Sequence, residues 1–360
     1  METLPVVVLA LLPLAALSAQ SPLPQVDRTP NSPTQEQQRL IREGVALHDQ
    51  GDFDGAIARY RQVLDANPDE VYAMQELGFT YFTKKDYENA LATARLGAQY
   101  QSRVLPRFHI LIGNILDDMG KRDEAIAVYR AAVQESPGTA LLHFNLGLSL
   151  MRSNQLAEAR SELERSVSLD PGHASSHFVL GNLYWDGGYR IPAVLAFSRF
   201  LLLERASARS EKARAIVEQV VQGNVTAGDK PNHVTINLNL SPPSKKDEGD
   251  FDPVETSIGV SAAAEKIVDI KKAATPFEAR AQVWRLMGDV MSRMEPGGFA
   301  ARYYAPFFAE LQRRGFVDAF VDIAFTGLRL DGASAWADRN GSQLRDFQDW
   351  VRTYRWPAAN

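Results

Sequence analysis

Cysteine is absent from this 360-residue sequence, and its absence removes several kinds of chemistry. Without a thiol the chain can form no disulfide, bind no metal through a cysteine thiolate and use no cysteine nucleophile. It also offers no cysteine for lipid attachment. The absence is compatible with an oxidising compartment, but it does not identify one.

An excess of positive charge is also lacking. Lys and Arg number 39 against 44 Asp and Glu, which gives a net charge of −5. A general nucleic-acid binder usually has a basic surface, so we predict no nucleic-acid partner. The hydrophobic fraction of 45% and the charged fraction of 23% are ordinary for a soluble globular protein, and the length suggests about two domains.

The short motifs that mark common active sites are missing as well. There is no Walker A loop, no GxGxxG, no HExxH and neither of the nucleophile motifs GxSxG and SxxK. Asp117, Asp118 and Asp186 are candidate acids, but adjacent carboxylates on a helix point to different faces and do not form an acid–base pair. We therefore predict no catalytic residue, no cofactor and no metal site.

One apolar run stands near the N-terminus, at residues 4–17. It has the length of the hydrophobic part of a signal peptide and is too short to span a bilayer comfortably. Cleavage after Ser18 or Ala19 fits the pattern, whereas Glu2 and the lack of Lys or Arg before the run depart from it. We predict a signal peptide at residues 1–19, export to the periplasm or the exterior, and no transmembrane span after cleavage. An uncleaved anchor and a misassigned start codon are the alternatives.

A flexible linker is predicted at residues 20–36, which are rich in Pro, Ser and Gln. From residue 37 onward the chain repeats itself, with one series of glycines and one of alanines that both advance by 34, 35, 34 and 34 residues. Repetition at this period indicates an array of helical hairpins. The glycines are Gly44, Gly78, Gly113, Gly147 and Gly181, and the alanines are Ala56, Ala90, Ala125, Ala159 and Ala193.

The residues around these two series follow a common order. The third copy has His109, Ile112-Gly113, Leu116, Ala125, Tyr129, Ala132 and Pro137, and the fourth has His143, Leu146-Gly147, Leu150, Ala159, Leu163, Ser166 and Pro171. This order resembles the tetratricopeptide repeat, in five copies over residues 37–205. The resemblance implies a right-handed superhelix with a concave inner face, and at least about three repeats must stack for stability.

Packing arguments agree with the repeat pattern. Small residues at the paired Gly and Ala positions are predicted to let the two helices of a repeat approach closely. Pro68, Pro137 and Pro171 end second helices, because proline cannot continue a helix interior. Copy two departs from the pattern, with Ser102 in place of proline. Residues 206–222 place their apolar side chains on one stripe and are predicted to form a capping helix.

The rest of the chain is predicted to be a linker and a second, smaller helical domain. Within the linker, residues 223–253, the alternation at residues 233–240 predicts a short strand. We find no internal partner for it, so it could lie against the array, pair with another chain or be an extended linker. The second domain, residues 254–360, is rich in aromatic residues and should have a packed core. Its helices are predicted at residues 262–272, 276–294, 301–314, 317–329 and 342–354, so the fold class is all-α.

Three histidines occupy one equivalent position in successive copies: His109, His143 and His177. They could be a ladder of metal ligands or a row of packing side chains. Helices of stacked repeats stand about 10 Å apart, whereas zinc needs its ligand nitrogens at about 2 Å. Three rungs of the array therefore cannot meet at one ion, and we predict packing roles.

The concave face is the candidate binding surface. The resemblance implies that five positions of each first helix line it. Ile110, Phe144 and Phe178 stand where some relatives have a lysine that clamps a peptide carboxylate, so no such clamp is expected. The predicted partner-binding residues are Tyr72, Phe79, Phe82, Arg107, Ile110, Asn114, Asp117, Phe144, Leu148, Met151, Arg152, Phe178, Asn182 and Trp185.

A concave face this apolar should be covered. Apolar surface in water costs about 25 cal/mol per Å². The cover could equally be a partner segment, residues 232–241 of this chain, or the C-terminal domain. We predict a non-catalytic interaction or scaffold protein that binds a protein or peptide segment, with Tyr72, Phe144 and Trp185 as aromatic anchors. One alternative is an enzyme or assembly factor with an active C-terminal domain and repeats that recognise the substrate. Another is a self-assembling structural protein.

Overall fold

The computed structural model describes residues 21–227, 233–240, 246–267 and 275–358. The predicted signal peptide, residues 1–19, lies outside the described residues. The chain divides into two compact units, unit 1 at residues 1–115 and unit 2 at residues 116–360, and each is taken by itself below. Among the described residues the regular secondary structure is helical apart from one two-stranded ribbon and one isolated bridge, which confirms the all-α prediction.

Unit 1 holds the first two hairpins and most of the first helix of the third. Thr34 begins α1 with a capping box, in which its hydroxyl accepts from the Gln37 N–H and its own N–H donates to the Gln37 side chain. Asp52 and Asp86 cap the second helices. The helices are α1 (Gln35–Asp49), α2 (Phe53–Ala66), α3 (Val71–Thr83), α4 (Tyr87–Gly97) and α5 (Leu105–Asp118), whose last residues belong to unit 2.

The segment before α1 is anchored by hydrogen bonds, although the composition predicted a flexible linker. Arg28 forms a parallel bridge with Tyr100, and the Arg28 N–H donates to the Gln99 carbonyl at 3.0 Å. The Tyr100 hydroxyl accepts from Arg28 Nη1 at 3.0 Å and donates to Asp69 at 2.6 Å. This docking accounts for the irregular copy two, because the N-terminal segment occupies the connection after α4.

Unit 2 continues the repeats and adds a capping helix. The Ser207 side chain caps α11, which buries Ala213, Val217 and Val220 on one face. With unit 1 included, the helices of all five predicted copies are present. Those of unit 2 are α6 (Arg122–Glu135), α7 (Ala140–Arg152), α8 (Leu156–Leu169), α9 (Ala174–Asp186), α10 (Arg190–Leu203) and α11 (Ala208–Val221).

The repeat glycines make room for a large side chain of the facing helix. A Cβ built on Gly147 would lie 2.9 Å from Leu163 Cγ, and one on Gly181 would lie 2.8 Å from the Phe197 ring. Contacts this short force a neighbour to move. The prediction that small residues allow the helices to approach closely therefore holds. The side chain that each of these glycines accommodates is a large one of the facing helix, Leu163 or Phe197, and not that of the paired alanine.

The predicted strand has a partner within the chain, so the expectation that it has none is wrong. β1 (Val225–Ala227) and β2 (Val234–Ile236) pair antiparallel, with Val225 opposite Ile236. Val225 also packs with Ala262 and Ala263, and Val234 and Ile236 pack against this cluster. The partner strand, β1, was not predicted because three residues are too few to show alternation.

The C-terminal helices differ from the predicted ones at four places, one of which is the helix predicted at residues 317–329. That helix ends at Ala324 and is followed by a 3₁₀ turn (Thr326–Leu328). The first C-terminal helix begins ten residues before residue 262. The predicted helix at residues 301–314 is broken at Tyr304, because Pro306 has no N–H to donate within a continuous helix. A short helix after residue 332 was not predicted. The helices are α12 (Asp252–Ile267), α13 (Pro276–Met291), α14 (Phe299–Tyr303), α15 (Ala305–Arg313), α16 (Val317–Ala324), α17 (Ala333–Arg339) and α18 (Gly341–Thr353).

Within unit 2 the C-terminal helices pack directly on the repeats. The Tyr304 hydroxyl lies 2.8 Å from His177 Nδ1, and the Tyr303 hydroxyl donates to the Val167 carbonyl at 2.6 Å. Trp284 stacks on Phe308 in the aromatic core that was predicted for this region. Among the described residues, the helices are too short or too polar to cross a bilayer.

Candidate partner-binding surface

The predicted binding residues of unit 1 lie on α3 and α5 and are open to solvent to different degrees. Tyr72 and Phe79 on α3 are 46% and 45% exposed, which is unusual for large apolar side chains. Arg107 is exposed and donates from Nη1 to Gln75 at 3.3 Å. Those that are half-buried are Phe82, Ile110 and Asn114.

A histidine of the first copy supports the aromatic surface of unit 1. The His48 ring stacks on Phe79 with 5.2 Å between centroids and meets Phe53 edge-on at 5.1 Å. Its Nδ1 lies 2.8 Å from the Thr80 hydroxyl, which fixes the plane of the ring. The prediction covered only copies two to five and missed His48. It stands in copy one where Phe82 stands in copy two, so the repeat register could have found it.

The predicted residues of unit 2 lie on α7, α9 and the end of α5, and most are half-buried. Phe144 meets His173 edge-on with 4.9 Å between ring centroids. Asn182 donates to the carbonyl of Phe178 at 2.8 Å, so its amide is turned towards its own helix. Arg152 is exposed, and the half-buried members are Asp117, Phe144, Leu148, Met151, Phe178, Asn182 and Trp185.

Asp117 belongs to an ion-pair cluster rather than to an acid–base site. Its carboxylate lies 2.8 Å from Arg152 Nη1 and 3.6 Å from Arg122 Nε. The two guanidinium groups balance its charge, which suits a side chain that is only 4% exposed. Asp118 and Asp186 are exposed to solvent.

Phe178 is covered in part by other residues of unit 2. It packs on Phe200 at 5.0 Å and on Phe197 at 5.9 Å, and the Arg209 guanidinium lies 5.4 Å above its ring. Arg209 belongs to the capping helix α11. Trp185 has a looser cover, with the Arg190 guanidinium 6.0 Å from its ring. Phe178 is therefore a weaker candidate anchor than its sequence position suggested.

Among the described residues, parts of the two segments that were predicted as candidate covers contact side chains outside the predicted binding set. Residues 234–236 pack on α12, as described above, and residues 232 and 241 lie outside the described residues. The following segment pairs Asp247 with Arg160 at 2.7 Å and Glu255 with Arg190 at 2.7 Å. Arg160 and Arg190 are not among the predicted binding residues.

The three repeat histidines are buried packing residues, and two of them bond to a proline carbonyl. His143 Nε2 lies 3.0 Å from the Pro137 carbonyl, and His177 Nε2 lies 3.1 Å from the Pro171 carbonyl. His109 is fully buried with both ring nitrogens unpaired, and its burial lowers its pKa to about 4. The described part of the chain holds no group of three side chains that could ligate a metal.

A buried pair of carboxylates, missed by sequence reasoning, joins the segment before α12 to α8. The Tyr184 hydroxyl lies 3.2 Å from Glu164 and 3.0 Å from Glu248, and Arg160 lies 3.3 Å from Glu248. Burial, and then the Glu248 charge, raise the pKa of Glu164 to about 8. The pair lies 84 residues apart in the sequence, so no local pattern could have revealed it.

Comparison with known families agrees with the repeat pattern. A family model described as "Tetratricopeptide repeat" matches residues 41–102, 110–174 and 144–188. These ranges contain most of the helices from α1 to α9. These residues therefore match a family model of the same repeat that the residue order in the sequence resembles.

Curated relatives match part of this chain. The BBSome complex member bbs-4 of Caenorhabditis elegans is 26% identical over 141 residues, or 39% of this chain. The protein O-mannosyl-transferase TMTC3 of Mus musculus is 24% identical over 155 residues, also 39% of this chain. The matches span 30% and 17% of the two relatives' own lengths.

Solved structures match about half of this chain, and one of them is described as a TPR protein. TTC0263 of Thermus thermophilus gives a TM-score of 0.43 at 18% identity and covers 50% of this chain and 98% of that one. The pilF protein of Pseudomonas aeruginosa gives a TM-score of 0.42 at 21% identity and covers 51% of this chain and 87% of that one. MamA of Desulfovibrio magneticus RS-1 gives 0.39 at 18% identity, with 49% and 99% covered.

Proposed function

We propose that this protein is a non-catalytic scaffold that binds a segment of a partner protein through the first helices of its repeats, because residues 41–102 and 110–188 match the tetratricopeptide-repeat family model. Repeat arrays of this kind present extended surfaces on rigid helices. A rigid surface loses little conformational entropy on binding, which favours affinity.

The observation that carries this proposal is the exposure of large apolar side chains at first-helix positions. In unit 1, Tyr72 and Phe79 are nearly half exposed on the same helix. In unit 2, Phe144, Leu148 and Met151 are half-buried on α7. A few aromatic anchors usually dominate the affinity of an interface. The matching partner is an apolar or aromatic peptide segment, with no acidic tail required, because no lysine clamp is present.

A pull-down with matched variants tests the proposal. The chain from residue 20 to 360 would be immobilised beside a Tyr72→Ala/Phe79→Ala variant and a Phe144→Asp/Trp185→Ala variant. The matched controls are Leu96→Ala on α4 and Leu156→Ala on α8, since these leucines are 40% and 47% exposed but lie on second helices. Circular dichroism would verify that every variant keeps its helical content.

Each outcome bears on the proposal. A partner retained by the wild type and both controls but lost by a first-helix variant supports it, and the affinity of that partner should fall by about 2 kcal/mol per lost anchor. A partner retained equally by all five proteins would place the interface elsewhere and overturn the proposal.

We further propose that the protein is exported, with cleavage after Ser18 or Ala19. The apolar run at residues 4–17 and the small residues after it support this. Cell fractionation combined with N-terminal sequencing tests it. A mature chain that begins at residue 19 or 20 in the periplasm or medium is expected, whereas a cytoplasmic chain that keeps Met1 would contradict it.

A further inference from the structure

A cavity of about 520 Å³ lies within unit 2, between the end of α10 and the C-terminal segment. Its volume falls in the usual range for small-molecule sites, ~300–1,000 Å³. One wall comes from residues 171–205 and the other from residues 323–356. These residues are separate from the predicted partner-binding residues, so the cavity is not part of the surface described above.

The lining combines an apolar body with positive charge. Leu202, Leu203 and Val351 supply aliphatic surface, and Trp356 supplies an aromatic face. Three arginines also line the cavity, Arg199, Arg205 and Arg352, and the lining contains no Asp or Glu. The ion pair between Arg352 and Asp349 is 71% exposed on both sides and is therefore weak.

Arg199 is the unusual member of this set. It is only 5% exposed, and its Nε and Nη2 donate to the Pro171 carbonyl at 3.3 and 2.9 Å. Nη1 is buried and has no hydrogen-bond partner among the described residues. The Trp356 ring lies 4.9 Å from the guanidinium, which offsets part of the cost of burial.

The guanidinium of Arg199 is therefore buried without a direct ion pair among the described residues. Burial lowers the pKa of Arg199 to about 10, and the opposing effects of Tyr303, Tyr304 and Asp170 do not restore it. A buried charge of this kind is costly unless it is paired. A bound anion would supply both the missing charge and an acceptor for Nη1.

We propose that this cavity binds a small amphipathic anion, with its carboxylate or phosphate head on Arg199 and its apolar body against Leu202, Leu203 and Val351. Arg205 and Arg352 assist at the rim, where both are exposed to solvent. A guanidinium group pairs with either head group in a planar, bidentate geometry. The chemical class is thus set by one anionic head and one apolar tail.

Binding would be measured on the full chain by isothermal titration calorimetry and by tryptophan fluorescence. The probes are octanoate and octyl phosphate, which share a tail and differ in head group. Octylamine and octanol keep the tail and change the charge, whereas acetate and inorganic phosphate keep the head alone. Saturable binding of at least one of the two amphipathic anions is expected, much tighter than of any of the other four probes. The ratio of octanoate to octyl phosphate affinity identifies the preferred head.

Variants connect the binding to the cavity. Arg199→Gln should weaken binding about tenfold or more, as expected for the loss of a charge-assisted hydrogen bond. Arg205→Gln/Arg352→Gln changes only exposed side chains, so folding is not at stake, and it should weaken binding about three- to tenfold. Arg355→Gln is the matched control, since Arg355 is exposed in the same C-terminal segment but does not line the cavity, and it should bind like the wild type.

Three results would overturn the proposal. One is the absence of saturable binding for both amphipathic anions. Another is equal binding of octylamine or octanol, which would mean that the tail alone is recognised. The third is unchanged affinity in the double rim variant together with unchanged affinity in Arg199→Gln.

Discussion

At the scale of single residues, a buried polar group without a partner weakens a fold, and His109 is such a group. Its two neighbours in the histidine series reach the main-chain carbonyl six residues earlier, whereas neither ring nitrogen of His109 has a partner among the described residues. Sequence alone indicates the packing role of all three histidines. The lost hydrogen bond becomes visible only in the structure.

Replacement of His109 by leucine should stabilise the protein by roughly 1 kcal/mol at pH 7, because it removes buried nitrogens that have no partner. The pKa of His109 is lowered from 6.5 to about 4 in the folded chain, so the wild type loses stability as pH falls from 6.5 towards 4. His109→Leu removes that loss, and its advantage should therefore be larger at pH 5. Urea unfolding at the two pH values measures both effects.

The matched control for that substitution is His143→Leu, which should act in the opposite direction. His143 bonds to Glu162 at 2.7 Å and to the Pro137 carbonyl, and the leucine would leave both without this partner. A destabilised His109→Leu variant at both pH values would mean that the imidazole has a partner in solution.

The contribution of Glu164 to the stability of the fold depends on pH in the opposite direction to that of His109. Its pKa is raised to about 8 in the folded chain against an ordinary 4.5, so its contribution to stability is fully present below pH 4.5 and is lost as pH rises through 8. Glu164→Gln cannot ionise, and it should raise the melting temperature at pH 9 while changing it little at pH 5. Glu158→Gln, on the same helix but with an exposed side chain, is the control and should give no such pH-dependent gain. Equal shifts in both variants at pH 9 would contradict the assignment.

At the scale of helices, the repeat glycines are not equivalent although they share one position. A Cβ on Gly147 would meet Leu163 Cγ at 2.9 Å and the Ala159 carbonyl at 3.3 Å. A Cβ on Gly78 would meet only side-chain atoms, the nearest being Leu111 Cδ2 at 3.1 Å. At Gly147 a helix backbone limits the space for a Cβ, whereas at Gly78 the neighbouring side chains can move to make room.

Alanine substitution at the two glycines should therefore give opposite results. Gly147→Ala should destabilise the protein by roughly 1–3 kcal/mol through overpacking. Gly78→Ala should be neutral or stabilising by up to about 1 kcal/mol, because alanine has the higher helix propensity. Thermal unfolding followed by circular dichroism compares them. Equal destabilisation would show that the close approach is the same in both repeats.

The helices that sequence could predict are those with a strong periodic signal. The Gly and Ala series predicted the hairpins of all five copies, because each position recurs at a fixed interval. The ribbon partner β1, the helix after residue 332 and the break at Tyr304 carry too few residues for periodicity to show.

Contacts between distant residues could not be predicted at all. The cavity around Arg199 and the Glu164–Glu248 pair each join residues far apart in sequence. Conversely, the first-helix positions of the candidate binding surface were assigned from the resemblance to the tetratricopeptide repeat, carried onto this chain by the repeat register. The fold was thus predictable where the repeat dictates it, and hydrogen bonds and cavities between distant residues were not.

At the scale of the whole molecule, the question is whether the C-terminal helices form an independent domain, as the sequence predicts. In unit 2 they share buried hydrogen bonds with the repeats. Pro171 has no N–H, so the carbonyl of Val167, four residues earlier, has no helical donor. The Tyr303 hydroxyl supplies that donor at 2.6 Å. The proline that ends α8 thereby creates an attachment point for a C-terminal helix.

If the hydrogen bond from Tyr303 to Val167 couples the C-terminal helices to the repeats of unit 2, these two parts should unfold together. Tyr303→Phe removes the donor and leaves the Val167 carbonyl buried, which should cost roughly 1–3 kcal/mol. Hydrogen exchange should then accelerate by a similar factor in α9 and α10 and in α13 and α15, because one cooperative unit opens as a whole. Tyr72→Phe, an exposed tyrosine in unit 1, is the control and should leave exchange in unit 2 unchanged. Acceleration confined to the C-terminal helices would mean that the repeats stand alone, and the Tyr303 contact would then be a docking contact between separate domains.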